Sequence, residues 1–83
     1  MRISVRYFAS IREALGPGEV VDVPAGSTVG AVRDCLIARG PEHAKALARS
    51  RALRAALDMV MADESAPVRE DAEVAFFPPV TGG

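Results

Sequence analysis

The chain holds a single cysteine, Cys35, so it has neither an internal disulfide framework nor a cysteine-based zinc cage. A single histidine, His43, has no second histidine or suitably spaced carboxylate beside it, and reads as a solvated surface side chain rather than a metal ligand. No apolar run approaches the ~18 residues that a membrane span requires. Arg2, Arg6 and Arg12 interrupt the start of the chain where a signal peptide would be apolar. The formal net charge is -1, too small to draw in nucleic acid or anionic lipid. One local basic run, Lys45, Arg49, Arg51 and Arg54, has no aromatic residues interleaved for stacking bases. It reads as a solvated helix face and the flank of a partner surface. There is no phosphate loop, nucleophile elbow or catalytic carboxylate pair. The expectation is a soluble, cytoplasmic domain with no bound metal or cofactor and no nucleic-acid or membrane partner. Such a chain acts through other proteins rather than as a self-sufficient enzyme.

What is present is ordinary for one small globular domain: 83 residues, 49% hydrophobic and 25% charged. Met1 to Phe8 reads as a strand, with Ile3, Val5 and Tyr7 on one face and Ser4, Arg6 and Phe8 on the other. Ala9 to Leu15 fits a short helical turn, and Gly16-Pro17-Gly18 breaks it. Glu19 to Val23 is a second strand, antiparallel to the first. After Pro24-Ala25-Gly26, Ser27 or Thr28 caps a helix with Val29, Val32, Leu36 and the neighbouring Cys35 on its apolar side. Cys35 is expected there as a small buried hydrophobe. Gly40-Pro41 ends that helix and starts another, read as Pro41–Arg49. The alternation of Leu57, Met59 and Met61 with Asp58 and Val60 suggests a strand over Leu53–Met61. A turn at Asp63-Glu64-Ser65 and a last strand at Glu73–Phe77 follow, and Pro78-Pro79 stops the ladder. The predicted class is α+β, a mixed sheet packed on one main helix.

The end of the chain carries the chemistry. Phe76-Phe77-Pro78-Pro79-Val80-Thr81-Gly82-Gly83 passes from strand to stiff prolines to two bare glycines. Extended, the arm from Pro78 spans roughly 20 Å at 3.3–3.6 Å per residue. An α-carboxylate is ionised at neutral pH and is a poor electrophile. Converted to an acyl-adenylate or acyl-phosphate, its carbon is open to attack by a thiol or persulfide. Gly82-Gly83 lacks Cβ atoms, so a narrow channel can admit it. A terminal Gly-Gly alone arises by chance in roughly one chain in 200, so the abrupt stop at Pro78-Pro79 adds weight to it.

The segment Glu73–Gly83, with Val5-Arg6-Tyr7-Phe8-Ala9 and Ile11-Arg12-Glu13 near the start, resembles the small, sulphur-carrying subunit of molybdopterin synthase. The resemblance implies a ubiquitin-like β-grasp domain over 1–77 and a flexible carrier tail over 78–83. It implies that an activating enzyme adenylates Gly83 with ATP and magnesium, and that sulphur from a cysteine desulphurase or rhodanese type of donor yields a C-terminal thiocarboxylate. Pro78, Pro79, Val80, Thr81 and Gly82 would then enter the large synthase subunit, where sulphur passes to cyclic pyranopterin monophosphate. The implied assembly is a heterotetramer with two small subunits at the ends of a large-subunit dimer. By position, Phe8, Met61 and Phe77 match the large-subunit contact, and Arg12 matches the motif after the first strand. The pattern of the residues agrees in part, since Phe76 and Phe77 point to opposite faces and only one can enter the core. The alternative for Phe8, Met61 and Phe77 is a satellite cluster under a loop, and for Arg12 simple solvation.

Two positions depart from the family. Its Asp-Gly-Asp turn reads Glu70-Asp71-Ala72 here, and Asp58 stands where asparagine is common. Asp71 must then take the glycine's place in the turn, which Asp tolerates better than most residues. Competing readings of the tail are a sulphur carrier for thiamine or for tRNA thiolation, a ubiquitin-like modifier conjugated through Gly83, and a binding module with an inert end.

Overall fold

The computed structural model describes residues 1–79. Eight elements follow one another: β1 (Arg2–Tyr7), α1 (Ala9–Leu15), β2 (Gly18–Asp22), α2 (Val29–Ile37), α3 (Pro41–Ala46), β3 (Arg54–Leu57), β4 (Val60–Ala62) and β5 (Glu73–Phe77). The strands form one sheet in the order β2-β1-β5-β3-β4. β1 and β5 are parallel and the other neighbours antiparallel, so the sheet is mixed as expected. The main helix α2, with the short α1 and α3, supplies the other layer. Among the described residues no helix is long and apolar enough to cross a membrane.

The alternation in β1 does what the sequence implies. Ile3, Val5 and Tyr7 are buried, and with Val21, Val74 and Phe76 they meet Ile11, Val29, Val32 and Leu36 from the helices and Leu47 just after α3. Thr28 is the cap of α2, its hydroxyl accepting from the Ala31 amide at 3.1 Å. The buried stripe of α2 is Val29, Val32, Arg33 and Leu36, a spacing of i, i+3, i+4, i+7. Cys35 falls off that stripe and is exposed, contrary to expectation.

The long Leu53–Met61 strand is wrong. The chain reverses there in a two-residue hairpin, with Leu57 opposite Val60. Asp58 and Met59 both have positive φ, 49° and 70°, which fits the type I′ turn of tight hairpins. The two-residue loop pairs residues of opposite parity, so Leu57 and Met61, which one strand would put on the same face, lie on opposite faces of the sheet. The turn also accounts for Asp58, in a left-handed position that suits Asn or Asp. Asp58 Oδ1 accepts from the Glu73 amide at 2.9 Å, the donor its charge requires. Asp71 likewise sits at φ 65°, so the turn before β5 survives without a glycine. Its amide donates to the Arg2 carbonyl at 2.8 Å and ties the turn to β1.

The helix α3 is also shorter than expected, ending at Ala46 rather than Arg49. The cause is Arg33, whose buried guanidinium takes the backbone that would have continued it. Nε donates to the Leu47 carbonyl at 2.9 Å, and Nη2 donates to the carbonyls of Ala48 at 2.5 Å and Arg51 at 3.1 Å. Nη1 donates to Glu64 Oε2 at 2.7 Å. Arg49 in turn bonds Glu64, Asp34 and the Gly30 carbonyl. Part of the basic run is thus internal cement.

Candidate functional site

The helices cover one face of the sheet and leave the other open. On the open face, strand registers line up one residue from each strand: Gly18 opposite Arg6, Arg6 opposite Ala75, Ala75 opposite Ala56, and Ala56 opposite Met61. Two alanines therefore floor a shallow groove of about 590 Å³, with Arg6 on one side and Met61 on the other. Phe8 and Phe77 close one end, and Met59 projects from the hairpin turn at the other. The aromatic rings meet edge to face, centroids 6.5 Å apart at 87°. Phe8, Met59 and Met61 are 39%, 89% and 52% exposed, too much apolar surface in one place to be incidental on so small a chain.

Local structure aims these side chains. Phe8 leaves β1 with its amide donating to the Phe76 carbonyl at 3.2 Å, and its own carbonyl accepts the Ile11 and Arg12 amides that open α1. Phe77 ends β5 on the face opposite Phe76, which is 1% exposed. The structure thus brings three sequence-selected residues, Phe8, Met61 and Phe77, to one groove. Arg12 lies exposed on α1, outside the groove lining. Pro78 is half-buried and Pro79 exposed directly after Phe77, so the tail departs from the aromatic end of the groove. Val80, Thr81, Gly82 and Gly83 lie outside the described residues. Sequence reasoning missed Arg6, Met59 and the alanine floor. The period-2 pattern of β1 already put Arg6 beside Phe8, but the floor needed the strand order and register.

On the helix side, a polar cluster locks α3 to the sheet. The Tyr7 hydroxyl donates to Glu19 Oε2 at 2.7 Å, His43 Nε2 lies 2.8 Å from the same oxygen, and Arg39 is 3.4 Å from Oε1. His43 is therefore half-buried and partnered, not the solvated histidine expected. Burial, followed by the hydrogen bond to the Glu19 carboxylate, pushes the Tyr7 phenol above its usual range. Burial would raise Glu19 too, but the hydrogen bonds from His43 and Tyr7 outweigh it and hold the carboxyl below its ordinary value. Glu64 is likewise held low, chiefly by the Arg49 hydrogen bond and then by Arg33 against the opposing effect of burial. Among the described residues no three His, Cys, Asp or Glu side chains are grouped to hold a metal ion.

The two depressed carboxyls set the acid limit of the fold. Both have an ordinary value of 4.5 and lower folded values, so their stabilisation is complete above about pH 5 and is lost as pH falls through the folded values. Thermal melts at stepped pH should show a plateau from neutrality to about pH 5 and a decline below it. In Glu64→Gln that decline should be shallower.

Residues 5–83 match the sequence profile of the ThiS family. The chain belongs to the ThiS family. A relative from Haemophilus influenzae, the molybdopterin synthase sulfur carrier subunit, is 40% identical over 81 residues, 98% of this chain and 99% of its own. SAMP1 of Haloferax volcanii, a small archaeal modifier protein, superposes over the whole of both chains with a TM-score of 0.79 and 27% identity. The complex of subunits 1 and 2 of molybdopterin-converting factor from Helicobacter pylori contains a chain of the same fold, with a TM-score of 0.69 at 23% identity over the full length of both. The expected ubiquitin-like β-grasp is thus the fold of this ThiS-family chain.

Proposed function

We propose that this chain is the sulphur carrier subunit of a molybdopterin synthase. The observation that carries the reading is the 40% identity to such a subunit along 98% of a chain that ends in Gly82-Gly83. The open groove supports it, because a large subunit docked there would receive the tail from Phe77 onward.

The chemistry resides at Gly83. The carboxylate attacks the α-phosphate of ATP in an activating enzyme that holds magnesium, and pyrophosphate leaves. A persulfide from a cysteine desulphurase or rhodanese type of donor attacks the acyl carbon and displaces AMP. A thiol then cleaves the resulting acyl disulfide, leaving the thiocarboxylate. Inside the large subunit the thiocarboxylate sulphur is the nucleophile toward cyclic pyranopterin monophosphate. Hydrolysis returns the Gly83 carboxylate, and two such transfers build the dithiolene. Pro78, Pro79, Val80, Thr81 and Gly82 form the part of the tail that enters the partner's channel, the prolines stiffening it and Gly82 allowing the close approach. Phe8, Met61 and Phe77 form the docking surface, and Arg12 contacts the activating enzyme or the large subunit. The catalytic groups belong to the partners.

Deleting Gly82-Gly83 should abolish sulphur transfer in a reconstituted synthase while large-subunit binding persists through the groove. Unchanged transfer would favour an inert tail. The likeness to SAMP1 favours one second reading, conjugation to lysines through Gly83. Isopeptide-linked Gly83 in cell extracts would support it.

A further inference from the structure

The docking groove is not purely apolar: Arg6 stands along its side. Its cross-strand neighbours are Gly18, which has no side chain, and Ala75, so nothing crowds the guanidinium. Its charged neighbour is Glu73, and Nη1 lies 4.0 Å from Oε1, beyond hydrogen-bond reach. The Phe8 ring lies on its other side, 6.0 Å from the guanidinium carbon. The side chain is about half exposed. By contrast, Arg33 and Arg49 spend their donors on carbonyls and carboxylates inside the chain.

A guanidinium is a fixed fork that cannot be deprotonated. When a partner covers the groove, Arg6 loses its water, and Glu73 approaches only the Nη1 edge. The remaining donors then need an acceptor from the partner, or the buried charge opposes docking. The alanine floor supplies the route. Arg6 and Met61 are three strand spacings apart, about 14 Å, and the residues between them are Ala75 and Ala56. A side chain laid across that floor can reach the free edge of the fork without displacing anything.

We propose that the large subunit presents an acidic side chain across the Ala56–Ala75 floor and that its carboxylate pairs with Arg6, making Arg6 a determinant of partner specificity. This rests on the groove being the large-subunit surface. Pairing a carboxylate with the fork selects a cognate large subunit more sharply than apolar contact does, because a partner without the acid leaves Arg6 buried and unpaired.

The test is calorimetric titration of the full chain with the large subunit encoded by the same organism, at several salt concentrations. Arg6→Leu should weaken binding at least thirtyfold and flatten its salt dependence. Arg6→Lys, which keeps the charge but not the fork, should be weakened about tenfold and keep the salt dependence. The melting temperature of each variant checks folding, and if Arg6→Leu fails to fold, Arg6→Lys decides. If the unaltered chain binds but both folded variants bind within threefold of it, with unchanged salt slopes, the Arg6 pairing is overturned and the functional reading stands. If the unaltered chain does not bind, both fall.

Discussion

Phe77→Arg should abolish binding to the large subunit while leaving the domain folded. Phe77 sits at the last position of β5, half-buried, with its ring edge to face on Phe8. An arginine there keeps the backbone pairing with Arg54 but adds a second cation beside Arg54 and removes the aromatic wall of the groove. Aromatic anchors dominate interface energetics, and replacing this one by a cation that docking would bury unpaired should weaken binding about 100-fold or more. Binding by calorimetry and melting by circular dichroism separate the two effects. The contrasting substitution, Phe76→Arg, drives a charge into a core position that is 1% exposed and should prevent folding. If Phe77→Arg binds as the unaltered chain does, the groove is not the docking surface.

Arg33→Leu should have the largest effect on stability of any change outside the apolar core. Arg33 is 3% exposed and satisfies three backbone carbonyls as well as Glu64. Leucine leaves the carbonyls of Leu47, Ala48 and Arg51 without their donor in a site water reaches poorly, and leaves Glu64 to Arg49 alone. A buried or half-buried carbonyl left without its donor costs about 1–3 kcal/mol, so the loss of three should cost about 3 kcal/mol or more. A domain of this size has a shallow margin, so the melting temperature should fall by about 15 °C or more. A drop under about 1 kcal/mol in urea titration would mean that the loop after α3 holds itself without Arg33.

The elements whose neighbours are local were readable in the sequence, and those decided by distant partners were not. β1 shows its two faces by simple alternation, and Thr28 marks the start of α2 by its own hydroxyl. The groove residues Phe8, Met61 and Phe77 were picked out by the family resemblance, and the strand period agreed in part by putting Phe77 opposite Phe76 and Phe8 opposite Tyr7. Arg33 defeated the reading, since a buried charge on an otherwise apolar stripe looks like a solvated one until the carbonyls it serves are in place. That same guanidinium stopped α3 three residues short of Arg49. The hairpin at Asp58-Met59 was hidden because neither residue is the glycine that would mark it, and the apolar Leu57, Met59 and Met61 read as one alternating run although the turn puts Leu57 and Met61 on opposite faces. Cys35 was misplaced by one helical step, where 100° separates core from solvent. His43 found its partner in Glu19, 24 residues away.

The central claim is that Gly83 carries sulphur as a thiocarboxylate. Intact mass spectrometry after incubation with a molybdopterin-type activating enzyme, ATP, magnesium and a sulphide source tests it directly. Replacing oxygen by sulphur adds about 16 Da, and fragmentation separates this from oxidation of Met1, Met59 or Met61. The account predicts the added mass on Gly83 and its loss when the large subunit and cyclic pyranopterin monophosphate are supplied. An unmodified Gly83, beside a known carrier converted in the same reaction, would contradict it.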